Sequence, residues 1–248
     1  MVRKIFIGEE GRRIFGIVGC VCPSAKTTLE RYTYSMYGLT HSELTILKRL
    51  NTPIKIQNFL DTLPTNFEHD GETCFSPRKV LRERKAHCME GAMLAALALR
   101  VHGHKPFVMD LKVASSEDDH VVTPFRINGY WGAISKTNHA LVRYRDPIYR
   151  TLRELAMSYF HEYTDTKGKK VLRWYSRPLD LSCFDKQGWM TSEDDVFYIP
   201  QYLDTIRHYP LIKTSQEKAL RRADRMELKI GAMLEWKSKR KRSFRTSQ

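Results

Sequence analysis

Apolar residues in the first half of the chain recur at helical spacing in short stretches that turn signals separate. Three leucines at positions 44, 47 and 50 fall on one helical face, and Thr52-Pro53 ends that pattern. A second short apolar element follows and ends at Pro64. Ser76-Pro77 then supplies an N-cap residue and a first helical residue for another helix. The pattern predicts several short helices that pack ahead of the centre of the chain.

The densest apolar stretch begins directly after Cys88. Residues 89–103 are rich in Ala, Leu and Met, which are strong helix formers, and end in Gly103, a residue type common just past helix ends. The pattern predicts a helix that starts at or just after Cys88. Free N–H groups and the helix dipole at that position lower the pKa of a thiol. A lone cysteine is more often a small buried side chain, so a catalytic role depends on a partner.

The chain then switches to a pattern typical of strands. Residues 106–113 form a short apolar run, and two β-prone runs flank Asn128-Gly129, a pair that predicts a type I′ hairpin turn. With a two-residue loop, Ser135 is the diagonal neighbour of His120 on one face, within reach of a hydrogen bond or one bridging water. The predicted pairs are Ile127 with Tyr130, Arg126 with Trp131, Val122 with Ser135 and His120 with Thr137.

Amphipathic spacing returns in the second half of the chain. Asp146-Pro147 predicts the start of a helix with an apolar face that reaches Phe160, and residues 171–175 predict a strand. Capping-box spacing at residues 214–217 precedes further apolar positions that predict one long final helix. Helices and strands in this order predict an α+β fold.

The domain organisation follows from the same patterns, and no stretch approaches the roughly 18 apolar residues of a membrane-spanning helix. The predicted parts are a weakly structured segment 1–28, an α+β domain 29–210, a C-terminal amphipathic helix 211–236 and a basic tail 237–248.

Composition fits an ordinary globular chain. The 248 residues are 42% hydrophobic and 28% charged, which excludes wholesale disorder. The five cysteines are an odd number, which favours free thiols in a reducing, cytoplasmic compartment. No paired zinc-type spacing joins the candidate ligands, so no metal or cofactor is predicted. The candidate ligands are Cys74, His87, Cys88, His120 and His139.

The formal net charge of +14 favours acidic partners such as nucleic acid or an anionic lipid surface. Most of the charge is dispersed, and the one dense run is residues 237–242, next to the C-terminus. Such a run is often a solvated tail, and weak nucleic-acid contact through it is the corresponding functional prediction.

A cysteine at a helix start, a strand, a histidine that opens a second strand and a hairpin with Trp131 follow one another between residues 76 and 138. This order resembles the transglutaminase-like superfamily of papain-type thiol enzymes, in a bacterial-type member. The resemblance rests on Ala86-His87-Cys88, on the small and apolar residues of the helix that follows, on His120-Val121-Val122 and on Gly129-Tyr130-Trp131. It implies a papain-like core in which a helix with the cysteine packs on an antiparallel sheet with the histidine.

The resemblance implies that Cys88 is the nucleophile and that His120 is its base, with an aspartate at the end of the next strand to orient the histidine. Ser135 occupies the position of that aspartate. A serine can orient an imidazole through a hydrogen bond but contributes no charge. Three alternatives follow: Ser135 suffices, Asp118 or Asp119 supplies the charge from the adjacent loop, or catalysis is lost.

Two functions are compatible with these residues. The first is a hydrolase or acyltransferase that acts on an amide or peptide-like substrate through a Cys88 thioester, with His120 as general base and with N–H groups at the helix start for the oxyanion. His87 and His139 flank this site in the sequence and are expected to support it or to lie at the surface. The second is an inactive binding module of the same fold, whose basic surface engages nucleic acid.

Overall fold

An antiparallel sheet with helices on both faces makes up the part of the chain that the computed structural model describes, which is residues 36–68, 71–114 and 119–234. These residues belong to one compact unit, Thr33–Gln248. The predicted segment 1–28 and the basic tail 237–248 lie outside the described residues. The predicted α+β class with an antiparallel sheet is confirmed.

Helices occupy the start, centre and end of the described chain, and turns of 3₁₀ helix lie at Met36–Gly38 and Leu181–Gln187. The helices are α1 (His41–Arg49), α2 (Pro53–Asp61), α3 (Pro77–Glu83), α4 (Cys88–Val101), α5 (Leu152–Met157), α6 (Tyr198–Thr205), α7 (Thr214–Glu217) and α8 (Arg225–Gly231). Ser76 caps α3 by accepting the Lys79 N–H, and Pro77 is its first residue, as the sequence predicted.

The strands pair in the order β4-β3-β2-β1-β5-β7, with β6 also paired to β1, and every pairing is antiparallel. The strands are β1 (Phe107–Val113), β2 (His120–Ile127), β3 (Tyr130–Ser135), β4 (Arg145–Tyr149), β5 (Leu172–Ser176), β6 (Leu179–Asp180) and β7 (His208–Pro210).

The β2–β3 hairpin has the predicted register along most of its length. Ile127 pairs Tyr130 across Asn128-Gly129, both of which have the positive φ of a type I′ turn, and the ladder continues to Val122 and Ser135. The predicted pairing of His120 with Thr137 is wrong. The backbone N–H and C=O of Ser135 bond the side chain of Gln57 on α2, and His120 pairs Leu111 of β1.

Alternation along the strands divides the core into two clusters on opposite faces of the sheet. Val121, Phe125 and Ile134 face the cluster that contains α4, whereas Val122 and Ala133 face the cluster that contains α5. Helix α4 is almost entirely buried, so its Ala-rich sequence permits close packing on the sheet.

The predicted helix at Asp146-Pro147 is wrong. Residues 145–149 form β4, which pairs Tyr149 with Trp131 and lies at one edge of the sheet, where a proline is tolerated. The helix begins only at Leu152, and its N-cap is Thr151, which accepts the Glu154 N–H.

The prediction of a single long C-terminal helix is also wrong for the described residues, which contain the two short helices α7 and α8 instead. Between α7 and α8 the chain forms hydrogen bonds with residues that precede β5. The Ala223 N–H donates to the Gly168 carbonyl, and Lys170 Nζ donates to the Arg221 carbonyl. Asp224 then caps α8 by accepting the N–H groups of Met226 and Glu227. In a continuous helix the Ala223 N–H would bond within the helix, so its hydrogen bond to the Gly168 carbonyl would be lost. None of the described helices combines the length and apolar character that a bilayer crossing requires.

Candidate active site

Cys88 lies at the first position of α4, as predicted, and the residue is partly exposed. The fourteen-residue helix directs its N-terminal dipole at this sulfur. Close packing holds the helix start in place: Thr123 Oγ1 on β2 donates to the Ala92 carbonyl at 2.7 Å. The nucleophile candidate is therefore fixed by an element whose remaining turns are core.

His120, the first residue of β2, is hydrogen-bonded to Ser135, and it is close enough to Cys88 to lower the pKa of the thiol. His120 Nε2 lies 2.8 Å from Ser135 Oγ, so the structure brings all three predicted site residues together. Ser135 Oγ is also 2.6 Å from the Val142 carbonyl, which can only accept, so the serine proton is used there. His120 Nε2–H must then be the donor to Ser135, which leaves Nδ1 as an acceptor for the Cys88 proton.

Ser135 is held rigidly at the end of β3 by groups that are distant in sequence. Gln57 Nε2 donates to the Ser135 carbonyl at 2.8 Å, and the Ser135 N–H donates to Gln57 Oε1 at 2.9 Å. Together with the bond to Val142, these contacts fix the hydroxyl that orients His120. Such buried two-way amide contacts are favourable because every polar group has a partner.

Val142 has a backbone φ of 53°, which is unusual for a β-branched residue. Its N–H donates to Glu162 Oε2 at 2.7 Å, and Glu162 also pairs with Arg145 Nη2 at 2.6 Å. The strained backbone thus places the Val142 carbonyl on Ser135. Backbone strain of this kind costs about 1–3 kcal/mol and persists only where surrounding contacts impose it.

A second histidine, His87, caps α4 directly before Cys88. Its Nδ1 accepts the Met89 N–H at 3.3 Å, while its Nε2 lies 3.1 Å from the Thr73 carbonyl and 3.3 Å from Glu90 Oε1. His87 borders the cleft beside Cys88, and its hydrogen bonding and charge help to lower the pKa of that thiol. The structure therefore flanks Cys88 with two imidazoles.

Glu90 is fully buried and forms the capping box of α4 with His87. It accepts hydrogen bonds from the Phe75 and His87 N–H groups, each at 2.9 Å, and from the side chains of Thr73 and Asn66 at 3.0 and 3.2 Å. Burial acts to raise the pKa of Glu90, but His87 and these donors lower it. The result is an ionised carboxylate in the first turn of α4.

The thiol environment favours thiolate. Burial by itself would raise the pKa of Cys88, but hydrogen bonding and charge from His120 and His87 lower it to about 5. Burial would similarly lower the pKa of His87, yet Cys88 and Glu90 raise it to about 11. By contrast, burial raises the pKa of Cys74, and Cys183 is exposed with a raised pKa. Among these three thiols, only Cys88 is ionised near neutrality.

Cys88, His87 and His120 border a cleft of about 440 Å³, and Ser135 lies behind His120. His139 also borders the cleft at an exposed position, with Nδ1 3.3 Å from the Gly231 carbonyl at the end of α8. The expectation that His139 supports the site or lies at the surface is confirmed, since the residue is exposed. Trp131 does not border the cleft: it packs against the opposite core cluster, and Arg126 stacks on its ring.

Asp119 does not contact His120 through its carboxylate. Its Oδ1 accepts the Val113 N–H at 2.8 Å and its Oδ2 lies 3.7 Å from Lys112 Nζ. Burial raises the pKa of Asp119, and Asp110 raises it further. Asp118, the other predicted source of charge, lies outside the described residues.

In the described part of the chain, the carboxylates of Asp110, Asp119 and Asp204 form the group of side chains whose spacing could suit a metal ion. Lys112 Nζ lies 2.8 Å from Asp204 Oδ1, and His208 Nε2 lies 2.9 Å from Asp110 Oδ2. These cations already balance much of the negative charge. The group is therefore an ion-pair network beside the sheet, and it includes none of Cys88, His120 and Ser135.

Sequence reasoning did not include Glu90, Gln57 or Val142 in the site. One signal was present for Glu90: it follows His87 by three residues, which is capping-box spacing with an unusual cap residue. Gln57 and Val142 act through contacts that no local pattern shows.

The geometry is thus a cysteine of lowered pKa at a helix N-terminus, beside an imidazole bonded to a serine and an imidazole bonded to a carboxylate. No protein-family model matches this chain, and no curated protein matches it.

Proposed function

We propose that the protein is a cysteine-dependent hydrolase or acyltransferase with a transglutaminase-like, papain-like core, acting on an amide or peptide-like substrate. The observation that carries the proposal is the position of Cys88 at a helix start, with His87 and His120 beside it in the lining of a cleft, where both histidines lower the pKa of its thiol. A buried structural thiol has a raised pKa instead, as Cys74 does.

The reaction begins with attack of the Cys88 thiolate on the acyl carbon. The carbonyl oxygen gains negative charge, which N–H groups in the first turn of α4 stabilise together with the helix dipole. When the C–N bond breaks, the leaving nitrogen takes a proton from an imidazolium beside the thiol, and a thioester on Cys88 remains.

The thioester is released when water or an amine attacks it. His120 removes a proton from the attacking group through Nδ1, since its Nε2–H is directed to Ser135. A new bond forms to the acyl carbon, the C–S bond breaks, and its electron pair returns to sulfur. Ser135 keeps the imidazole in the tautomer that this step needs.

Iodoacetamide labelling of the full chain tests the thiolate. At pH 7, we expect Cys88 to alkylate at least tenfold faster than Cys183, because only the thiolate reacts. Peptide mass spectrometry reports each site separately. The Cys88→Ala variant is expected to abolish turnover of an activated ester such as p-nitrophenyl acetate, whereas Cys183→Ala, the matched change at an exposed thiol, leaves it intact. Equal labelling rates at Cys88 and Cys183 would contradict the proposal.

A further inference from the structure

We propose that the resting Cys88 thiolate is paired with a cation on His87, which buried Glu90 holds, and that His120 stays neutral as the base. This inference rests on the proposed function. It assigns two roles of a single catalytic histidine to separate residues: His87 is the cation that pairs with the thiolate, and His120 is the base. It also explains how a site with Ser135 in place of a carboxylate can operate.

The groups behind the two imidazoles differ in charge. Behind His120 lies the Ser135 hydroxyl, whose own proton is directed to the Val142 carbonyl. A hydroxyl accepts a hydrogen bond from His120 but adds no negative charge to hold an imidazolium. Behind His87 lies Glu90, a carboxylate with no exposed surface, 3.3 Å from the ring. A cation is therefore favoured on His87.

Burial of Glu90 makes this pairing necessary. An ionised carboxylate removed from water is costly unless hydrogen bonds and an opposite charge compensate it. Neutral donors supply the hydrogen bonds, and His87 is the ionisable group that Glu90 contacts as an ion pair in the described structure. The second carboxylate that faces this ring, Glu68, lies 4.0 Å from His87 Nε2. Both raise the preference of His87 for its charged form.

The contacts of the His87 ring show where the transferred proton is held. Nε2 faces two acceptors, the Thr73 carbonyl and Glu90, so it is protonated in either charge state. The proton from the thiol therefore bonds Nδ1. A protonated Nδ1 no longer accepts the Met89 N–H, and this amide is then an additional donor at the start of α4.

The proton balance closes over one cycle. The S–H bond of Cys88 breaks, and its proton moves to His87 Nδ1. The leaving nitrogen takes that proton when the C–N bond breaks, which leaves His87 neutral. Neutral His120 then takes a proton from water during thioester hydrolysis, and the returned thiolate is paired again when this proton passes through solvent to His87.

The pH dependence of Cys88 alkylation tests the assignment in the full chain, with iodoacetamide as the probe. As the pH is lowered, the wild-type alkylation rate of Cys88 is expected to fall, and the midpoint of this decrease is expected at a pH of about 5. His120→Gln is expected to move this midpoint by less than His87→Asn does, and His87→Asn is expected to bring it towards about 8.5, the usual thiol pKa. Asparagine still caps α4, because its side-chain oxygen accepts the Met89 N–H, but it cannot hold the proton.

A reversed pattern, in which His120→Gln moves the midpoint and His87→Asn does not, overturns the inference while the proposed enzyme survives. Equal movement in both variants also overturns it, because the cation would then be shared. A wild-type midpoint near 8.5 refutes the proposed function itself.

Nitrogen NMR of the wild-type imidazoles gives a test that requires no variant to fold. At pH 7, His87 is expected to carry protons on both ring nitrogens and His120 on Nε2 alone. A doubly protonated His120 beside a neutral His87 would overturn the inference. Glu90→Gln serves as the assignment control, because removal of the charge should lower the pH at which His87 loses its proton.

Discussion

At the scale of single residues, the site depends on Ser135, a neutral group at the position where the resemblance implies an aspartate. Its hydroxyl connects the Val142 carbonyl to His120, and both contacts are buried. Orientation and charge are thus supplied by different residues: Ser135 orients His120, while Glu90 contacts His87.

Ser135→Ala is expected to slow thioester release more than thioester formation. The variant loses one neutral hydrogen bond to His120, worth about 1 kcal/mol, which corresponds to roughly a fivefold to tenfold slower steady-state rate. Steady-state p-nitrophenolate release from p-nitrophenyl acetate measures the effect, and the pH midpoint of Cys88 alkylation should stay near its wild-type value.

Ser176→Ala is the matched control for this change. Ser176 is also a fully buried serine on the sheet, and its Oγ accepts the Asp110 N–H at 2.9 Å, away from the cleft. It should lose stability in urea but keep the wild-type rate of release. An unchanged rate in Ser135→Ala would show that His120 needs no orienting group.

At the scale of elements, the position of the Cys88 thiol depends on how closely α4 approaches the end of β3. Gly91, one turn into α4, leaves no room for a side chain: an added Cβ would lie 2.4 Å from Lys136 Cβ. The glycine is therefore required by packing, even though glycine weakens a helix.

Gly91→Ala is expected to destabilise the protein although alanine is the better helix former. Helix propensity alone would stabilise the variant by about 1 kcal/mol, but overpacking against Lys136 costs about 1–3 kcal/mol. The free energy of unfolding in urea measures the net change. The displaced helix start should also slow Cys88 alkylation.

Gly231→Ala, at the end of α8, is the corresponding control because the nearest atom to its added Cβ is 3.7 Å away. It should be neutral or slightly stabilising. Equal stability of the Gly91 and Gly231 variants would contradict the close approach of α4.

At the scale of the whole molecule, the net charge of +14 predicts attraction to polyanions that is independent of the thiol chemistry. Six of the twelve residues from 237 to 248 are Lys or Arg, so this tail carries a large share of the excess.

Removal of residues 237–248 is therefore expected to weaken retention on duplex DNA and to flatten its salt dependence. The logarithm of the binding constant changes with the logarithm of salt by about 0.9 for each neutralised phosphate, so up to six contacts can be lost. Titration at several salt concentrations measures the slope. The Cys88→Ala variant should retain the wild-type slope, and an unchanged slope after truncation would remove any role of the tail.

Local signals in the sequence were sufficient for the cysteine helix and for the hairpin. Helix formers and a capping box determine where α4 begins, and Asn128-Gly129 determines the register that brings Ser135 to His120. Both depend on neighbouring residues, which is why the sequence by itself determined that α4 begins at Cys88 and that Ser135 lies beside His120.

Tertiary contacts decided the rest. Arg145–Tyr149 became an edge strand because β3 offered it pairing, and the C-terminal helix was divided because Ala223 bonds Gly168. Gln57 reaches Ser135 across 78 positions, a distance at which no periodic pattern carries information. The ionic role of His87 also depended on burial of Glu90, since only desolvation makes the pairing of a carboxylate with that imidazole necessary.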